Sequence, residues 1–440
     1  MKIQLSDHFN YKKLIRFTLP SIASMIFVSI YGVVDGIFVS NFVGKTPFAA
    51  INLIYPAMML VMAFAFMISS GGSALISKTM GEGKYGKANS IFSMLIYVSI
   101  AFGIVISVVG FIFIEEISLL MGADEAMLPH CVTYGRILLP SFVFLLLQCE
   151  LQGFLIAAEK PNLALIMTVG AGCTNIILDA ILVIPFGLKG AAVATAMSQV
   201  VGTLIPLFYF IFSKKAILRL GGFHFDKKAL WLTCSNGASE MMTNLSMSLV
   251  NILYNYQLMQ MIGEDGVTVY GIIMYINFIF IGVFVGFCSG SAPIISFHYG
   301  AENHSELKNL FKKSLILMSV TSVVLTLLAE LSAGVLSGIF VSYDDALMAL
   351  TKRAFMLYSV SFVIMWINIF GSAFFTALNN GLISAVISFL RTLVFQIAAI
   401  YLLPLVLGID GIWLAIVAAE LGCCVVTVIF LMTQRKKYNY

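Results

Sequence analysis

Twelve long apolar runs separated by short polar loops confine this chain to very few folds. They cover residues 14–42, 48–76, 88–113, 132–157, 163–184, 191–212, 230–261, 267–297, 310–340, 347–378, 382–407 and 412–432. Each reaches the roughly 20 residues that a helix needs to cross a bilayer, and the longer ones predict tilt or helix continuing past the hydrocarbon. With 60% hydrophobic and 10% charged residues, and a mean hydropathy of +1.00, the chain lacks the polar surface of a water-soluble domain. Charges gather between the runs and do not alternate within ten-residue segments, which is the pattern of a helical bundle and not of an outer-membrane barrel. The expected fold is an all-α integral membrane protein with twelve transmembrane helices. The first run is too long for a signal-peptide core and lacks a small-residue cleavage site, so it is expected to be retained.

Loop charge predicts orientation. Lys12, Lys13, Arg16, Lys78, Lys84, Lys87, Lys160, Lys214, Lys215, Arg219, Lys227, Lys228, Lys308, Lys312, Lys313, Arg435, Lys436 and Lys437 fall on one side of a twelve-span arrangement. The other side holds mostly acids, from Glu115 and Glu116 to Asp344 and Asp345. The positive-inside rule then puts both termini in the cytoplasm, with the chain spanning the cytoplasmic membrane. A repeat of about 220 residues is also visible. SALISKTMG at 73–81 corresponds to APIISFHYG at 292–300, PSFV at 140–143 to VSFV at 360–363, and Gly187 and Gly190 to Gly408 and Gly411. Six spans per half is an even number, so both halves enter the membrane from the same side and form a parallel repeat. The expected division is a first lobe over 1–213, a cytoplasmic linker over 214–228 and a second lobe over 229–440.

Acids inside the spans carry the functional signal. A carboxylate at the bilayer centre costs roughly 3 kcal/mol even on lenient insertion scales, so such residues are functional by default. Asp35 lies about nine residues before Gly44, Asp179 about eight before Gly187, and Thr195 about five after Gly190. At about 1.5 Å per residue these positions share one layer, roughly 8 to 13 Å below the outer loops. Asn175 and Asp179, four apart, lie on one helix face. Gly32 and Gly36 around Asp35, with Gly170 and Gly172 before Asn175, are expected to let the helices approach closely. Together Asp35, Asn175, Asp179 and Thr195 predict an oxygen-lined pocket for a proton or a small hard cation. The alternative is that the two acids only bond neighbouring helices.

Several stretches resemble one known family. Asp35 in the first span, SKTMGEGKYGKA at 77–88, LQGFLIAAEKP at 151–161, the N-x-x-L-D of Asn175 to Asp179 and GLKGAAVAT at 187–195 are similar to the multidrug and toxic compound extrusion (MATE) transporters, with the second half most like the MepA-like bacterial branch. The resemblance covers essentially the whole chain. It implies two six-helix lobes that alternate between inward-open and outward-open states, exporting organic, cationic amphipathic compounds against an inward flow of H+ or Na+. It also implies that Asp35, Asn175, Asp179 and Thr195 form a cation site in the first lobe. Carboxylates used by some members in spans 7 and 10 have only Glu240 and Asn368 as counterparts here. The rival within the broader superfamily is a lipid-linked precursor flippase, which needs a strongly cationic central cavity; Arg391 is nearly the only intramembrane base.

Weaker candidates remain. Glu150, Glu240 and Arg391 lie at similar depths from the cytoplasmic side and predict an inner ion pair or triad, either static or substrate-related. Glu330 and Glu420 sit toward the outer half of their spans. Met58, Met62, Tyr254, Tyr256 and Phe284 are candidate cavity-lining residues, since thioethers and aromatic faces suit varied flat cations. Other chemistries find no support. Gly81 to Gly86 reads GEGKYG, but no strand precedes it, so the dinucleotide-binding context is absent. There is no G-x-x-x-x-G-K-[ST] motif for ATP, and the five histidines are scattered. The seven cysteines form no C-x-x-C pair and are read as core residues. No nucleophile or metal constellation suggests an enzyme. The expected partners are small-molecule drugs and the lipid bilayer, without cofactor, nucleic acid or obligate protein partner.

Overall fold

The computed structural model describes residues 3–341 and 344–440, and these are helical almost throughout. In the first half α1 (Tyr11–Phe42), α2 (Lys45–Gly81) and α3 (Tyr85–Ile112) are followed by a short α4 (Ile114–Leu120), then α5 (Leu128–Leu138), α6 (Phe142–Ala157), α7 (Pro161–Phe186) and α8 (Leu188–Phe212). In the second half come α9 (Lys227–Met261), α10 (Glu264–Gly300), α11 (His304–Val341), α12 (Asp345–Ser359), α13 (Phe362–Ala377), α14 (Gly381–Phe389), α15 (Phe395–Leu407), α16 (Ile409–Thr433) and the terminal turn α17 (Arg435–Tyr438). Continuous pairs α5–α6, α12–α13 and α14–α15 each make one span, which gives twelve in two lobes. Ten are apolar enough to cross a membrane on composition alone, and the pair α12–α13, bent by 47°, makes an eleventh. The twelfth, α9, is 35 residues long but carries Glu240, Asn244, Asn251 and Asn255. It holds its place by packing against α2, α10 and α14. As expected for long runs, α2 overshoots: 37 residues at about 1.5 Å each extend well beyond a core of about 30 Å.

The internal repeat is built from the same local devices twice. The turn from α7 to α8 passes through Gly187 at φ 54°, and that from α15 to α16 through Gly408 at φ 60°, a conformation open to glycine alone. Three residues on, a methyl group at Gly190 would overlap the carbonyl of Leu182, and one at Gly411 that of Leu403. Both motifs therefore make a hairpin too tight for any side chain. Span 4 is interrupted by a 3-10 turn at Leu139–Ser141 carrying Pro140, where a backbone donor is missing. Span 10 breaks at the matching VSFV, without proline.

The lobes meet at the end that carries both termini. There α1 runs antiparallel to α10, with Thr18 against Gly290, Ile22 against Gly286 and Met25 against Gly282. The Ser29 hydroxyl closes this row by donating to the Phe278 carbonyl at 3.2 Å. Farther toward the rim, backbones touch directly. A methyl group at Gly71 would overlap the Thr233 carbonyl, one at Gly237 the Met67 carbonyl, one at Gly81 the Phe297 carbonyl and one at Gly300 the Lys78 carbonyl. Residues 213–226 between the halves are laid along α3: Arg219 N–H donates to Asn89, Gly221 N–H to Ser93, and the Tyr97 hydroxyl to the Gly221 carbonyl. Asp226 then caps α9 by accepting from Ala229 N–H at 3.0 Å.

Candidate ion-coupling site

Span 1 reaches the first-lobe site only after leaving α10. Asp35 lies six residues beyond Ser29, about 9 Å along the helix axis, and in this upper half α1 packs on α7. Gly172 makes that approach close, because a methyl group there would press into the rings of Phe27 and Tyr31. The Asp35 side chain comes within hydrogen-bonding reach of both Asp179 and Asn175. Asp179 is fully buried, Asn175 is 3% exposed, and Asp35 is half-buried. Among the described residues, one oxygen of Asp35, both oxygens of Asp179 and the amide oxygen of Asn175 are buried without a hydrogen-bond partner. The arrangement is therefore a cluster of carboxylate and amide oxygens in which the Asn175 amide, toward Asp35, is the donor and several acceptor oxygens stay unpaired. Such a cluster suits a proton or a hard cation, and it is costly without one.

Thr195 belongs to the same neighbourhood through a residue that sequence reasoning missed. The Tyr134 hydroxyl, from α5, lies within reach of Thr195 and faces both Asp35 and Asp179. Tyr31, one turn before Asp35, and Tyr55, from α2, also face Asp35. Among 17 tyrosines, nothing in local spacing singles out these three. The glycine expectation holds only in part. Gly170 meets Ile205 and Gly172 meets α1, but Gly32 and Gly36 have nothing within 4 Å of an added Cβ, so they are not helix-packing positions.

The expected inner triad does not form. Glu150 is buried in the first lobe and accepts a 2.6 Å hydrogen bond from Ser99. Arg391 instead meets Glu420, with Nε at 2.8 and 3.1 Å from the two carboxylate oxygens. Glu420, expected toward the outer half of its span, lies near the middle of α16 (Ile409–Thr433) and so comes level with Arg391. Arg391 itself sits in a π-helical turn, Leu390–Val394, which redirects its side chain. Glu240 faces Arg391 at longer range. Asn368 donates to Glu420 Oε2 at 2.7 Å and accepts from Thr427 at 2.8 Å, which uses up its amide. Glu330 accepts from Ser359 at 2.6 Å.

Most of the cavity candidates are closed in packing. Phe284 is fully buried, Tyr254 is 3% exposed and stacks on Tyr270 at 4.8 Å, and Met58 and Met62 pack in the first-lobe core. Phe284 and Tyr254 therefore line no cavity, contrary to expectation. Tyr256 alone of the five is open, at 57% exposure.

Against known proteins, the MatE family model matches residues 20–181 and again 241–402, once in each half. The chain belongs to the MatE family. Among MatE relatives, the multidrug export protein MepA of Staphylococcus aureus (strain bovine RF122 / ET3-1) is 23% identical over 430 residues, covering 97% of this chain and 94% of the relative. A crystal structure of MATE in complex with MaL6 superposes with a TM-score of 0.93 at 22% identity, covering 98% of both chains. The outward-facing conformation of a multidrug resistance MATE family transporter of the MOP superfamily superposes at 0.92 with 23% identity, covering 98% of this chain and 97% of that one. MatE membership and these superpositions establish the two-lobed, twelve-helix fold.

Proposed function

We propose that the protein is a secondary active multidrug exporter of the cytoplasmic membrane, with both termini in the cytoplasm. It expels organic, cationic amphipathic compounds by antiport against H+ or Na+ through alternating access. The observation that supports this reading is the close pair of Asp35 and Asp179, of which one Asp35 oxygen and both Asp179 oxygens are buried without a partner among the described residues. Two unit negative charges about 4 Å apart repel by about 4 kcal/mol at an effective dielectric constant near 20. One proton or monovalent cation removes that repulsion and lets α1 settle against α7.

Span 1 supplies the lever. Its lower half is packed along α10 of the second lobe and its upper half carries Asp35 against α7 of the first. A change of charge at the pair therefore acts on a helix that both lobes share. Loading shifts the lobes only as far as the ion's affinity differs between the two states. A flippase for anionic lipid-linked precursors is disfavoured, because the Arg391 guanidinium is already neutralised by Glu420.

The test is ethidium efflux by purified protein in liposomes under separately imposed proton and sodium gradients. Asp179→Asn and Asp35→Asn are expected to abolish gradient-driven efflux while leaving ethidium binding in place. Efflux undiminished in both variants would refute the coupling role.

A further inference from the structure

The segment that precedes span 1 is tied to both lobes. Leu5, 1% exposed, and Phe9, fully buried, are its two apolar anchors. On the first-lobe side, Leu5 N–H donates to Glu159 Oε1 at 2.9 Å, on the turn after α6. On the second-lobe side, Glu306 near the start of α11 receives the rest. Phe9 N–H donates to its Oε1 at 2.9 Å, and His8 Nδ1 lies 2.6 Å from its Oε2. The Phe9 carbonyl accepts from Asn309 at 2.9 Å and from Lys313 at 2.7 Å. The Phe9 ring wedges between Phe17 of α1 and His298 of α10, with centroids 6.1 and 6.4 Å away.

Beneath the segment lies a cavity of about 220 Å³ bounded by Met80, Tyr85 and Glu159 on one side and Phe297 on the other. The chain thus crosses the seam between the lobes at the rim where α2 touches α9 and α10. Separation of the lobes at this rim must break the Glu159 contact or withdraw Phe9 from Glu306, Asn309 and Lys313. Glu306 is 4% exposed and holds both its oxygens in these contacts. The bond from Phe9 N–H is charge-assisted and buried, which is where such bonds count most, while His8 reaches Glu306 from an exposed position.

We propose that residues 4–9 are a strap that holds the cytoplasmic rim closed in the outward-facing state, and that Glu306 is the positioning residue that anchors it. The proposal rests on the alternating-access reading above. His298 is its built-in reporter. The ring is 2% exposed, both nitrogens are buried without a hydrogen-bond partner among the described residues, and the backbone of Leu5 and Asp7 runs beside it.

The experiment is modification of His298 by diethyl pyrocarbonate, quantified by peptide mass spectrometry. The proteins are the purified full chain, a variant lacking residues 2–9, and Glu306→Ala, each shown to be monodisperse. At rest both variants are expected to react at His298 roughly tenfold faster than the parent, the scale set by losing one or two charge-assisted hydrogen bonds. Should the deletion fail to fold, Glu306→Ala decides alone. Parent protein that exposes His298 during gradient-driven turnover, with neither variant more reactive at rest, overturns the strap and leaves alternating access standing. His298 protected in every protein even during turnover overturns the cycle, and the strap with it.

Discussion

Gly237→Ala tests whether the glycine contacts between α2 and α9 set the balance between the lobes. The added methyl group would overlap the carbonyl and backbone of Met67, and Met67 belongs to the other lobe. Overlap with backbone cannot be relieved by a rotamer change, and overpacking of this kind costs about 1 to 3 kcal/mol. Because the clash lies between lobes and not within one, it is relieved by rim separation without unfolding. The penalty therefore falls on the rim-closed state alone and shifts the equilibrium toward the open rim by about 5- to 150-fold. The assay is a pair of nitroxide labels at Lys84 and Ser305, which are exposed on opposite lobes at this rim, in a background without native cysteines. Pulsed dipolar spectroscopy should show a longer-distance population in Gly237→Ala, and efflux turnover should fall as the closed state becomes the scarce one. Gly32→Ala is the control, since nothing lies within 4 Å of its added methyl group. A distance distribution and a turnover for Gly237→Ala that match those of Gly32→Ala would refute the reasoning.

Two further outcomes follow from the sites. Arg391→Met leaves Glu420 buried with only Asn368 beside it, and should lower stability by about 3 to 5 kcal/mol, whereas the double variant with Glu420→Leu should recover most of that loss; thermal unfolding in detergent measures both. Tyr134→Phe removes the hydroxyl that faces Thr195 and the two acids, and should raise the half-saturating concentration of the driving ion about fivefold, with a smaller change in maximal efflux, read in liposomes at graded gradients.

Much of the architecture was legible because bilayers impose a length and repeats impose a period. The GLKG and GIDG turns could be matched by eye, and each serves the same hairpin. Depth counting brought Asp35, Asn175 and Asp179 together because their helices begin or end at glycine turns that fix the zero of the count. The same arithmetic put Glu420 in the outer half of a helix whose middle it occupies, and a π-helical turn re-aimed Arg391. Tyr134 was invisible for another reason. In a membrane helix both faces are apolar, so an aromatic toward an ion site, toward lipid, or into packing like Phe284 leaves the same trace in sequence. Gly32 and Gly36 show the converse: spacing that permits close approach does not summon a partner. The residues before span 1 are mostly polar and basic, so the docking of Leu5 and Phe9 leaves little trace in their composition.

The stretch between the halves, bonded to Asn89, Ser93 and Tyr97 along its course, has little slack to share. It travels with α3 as part of the first half's outer surface. In the alternating cycle proposed above, rotation between the halves is left to the few backbone dihedrals between Gly221, bonded to α3, and Asp226, fixed in the α9 cap, so the joint is a short pin and not a loose ribbon.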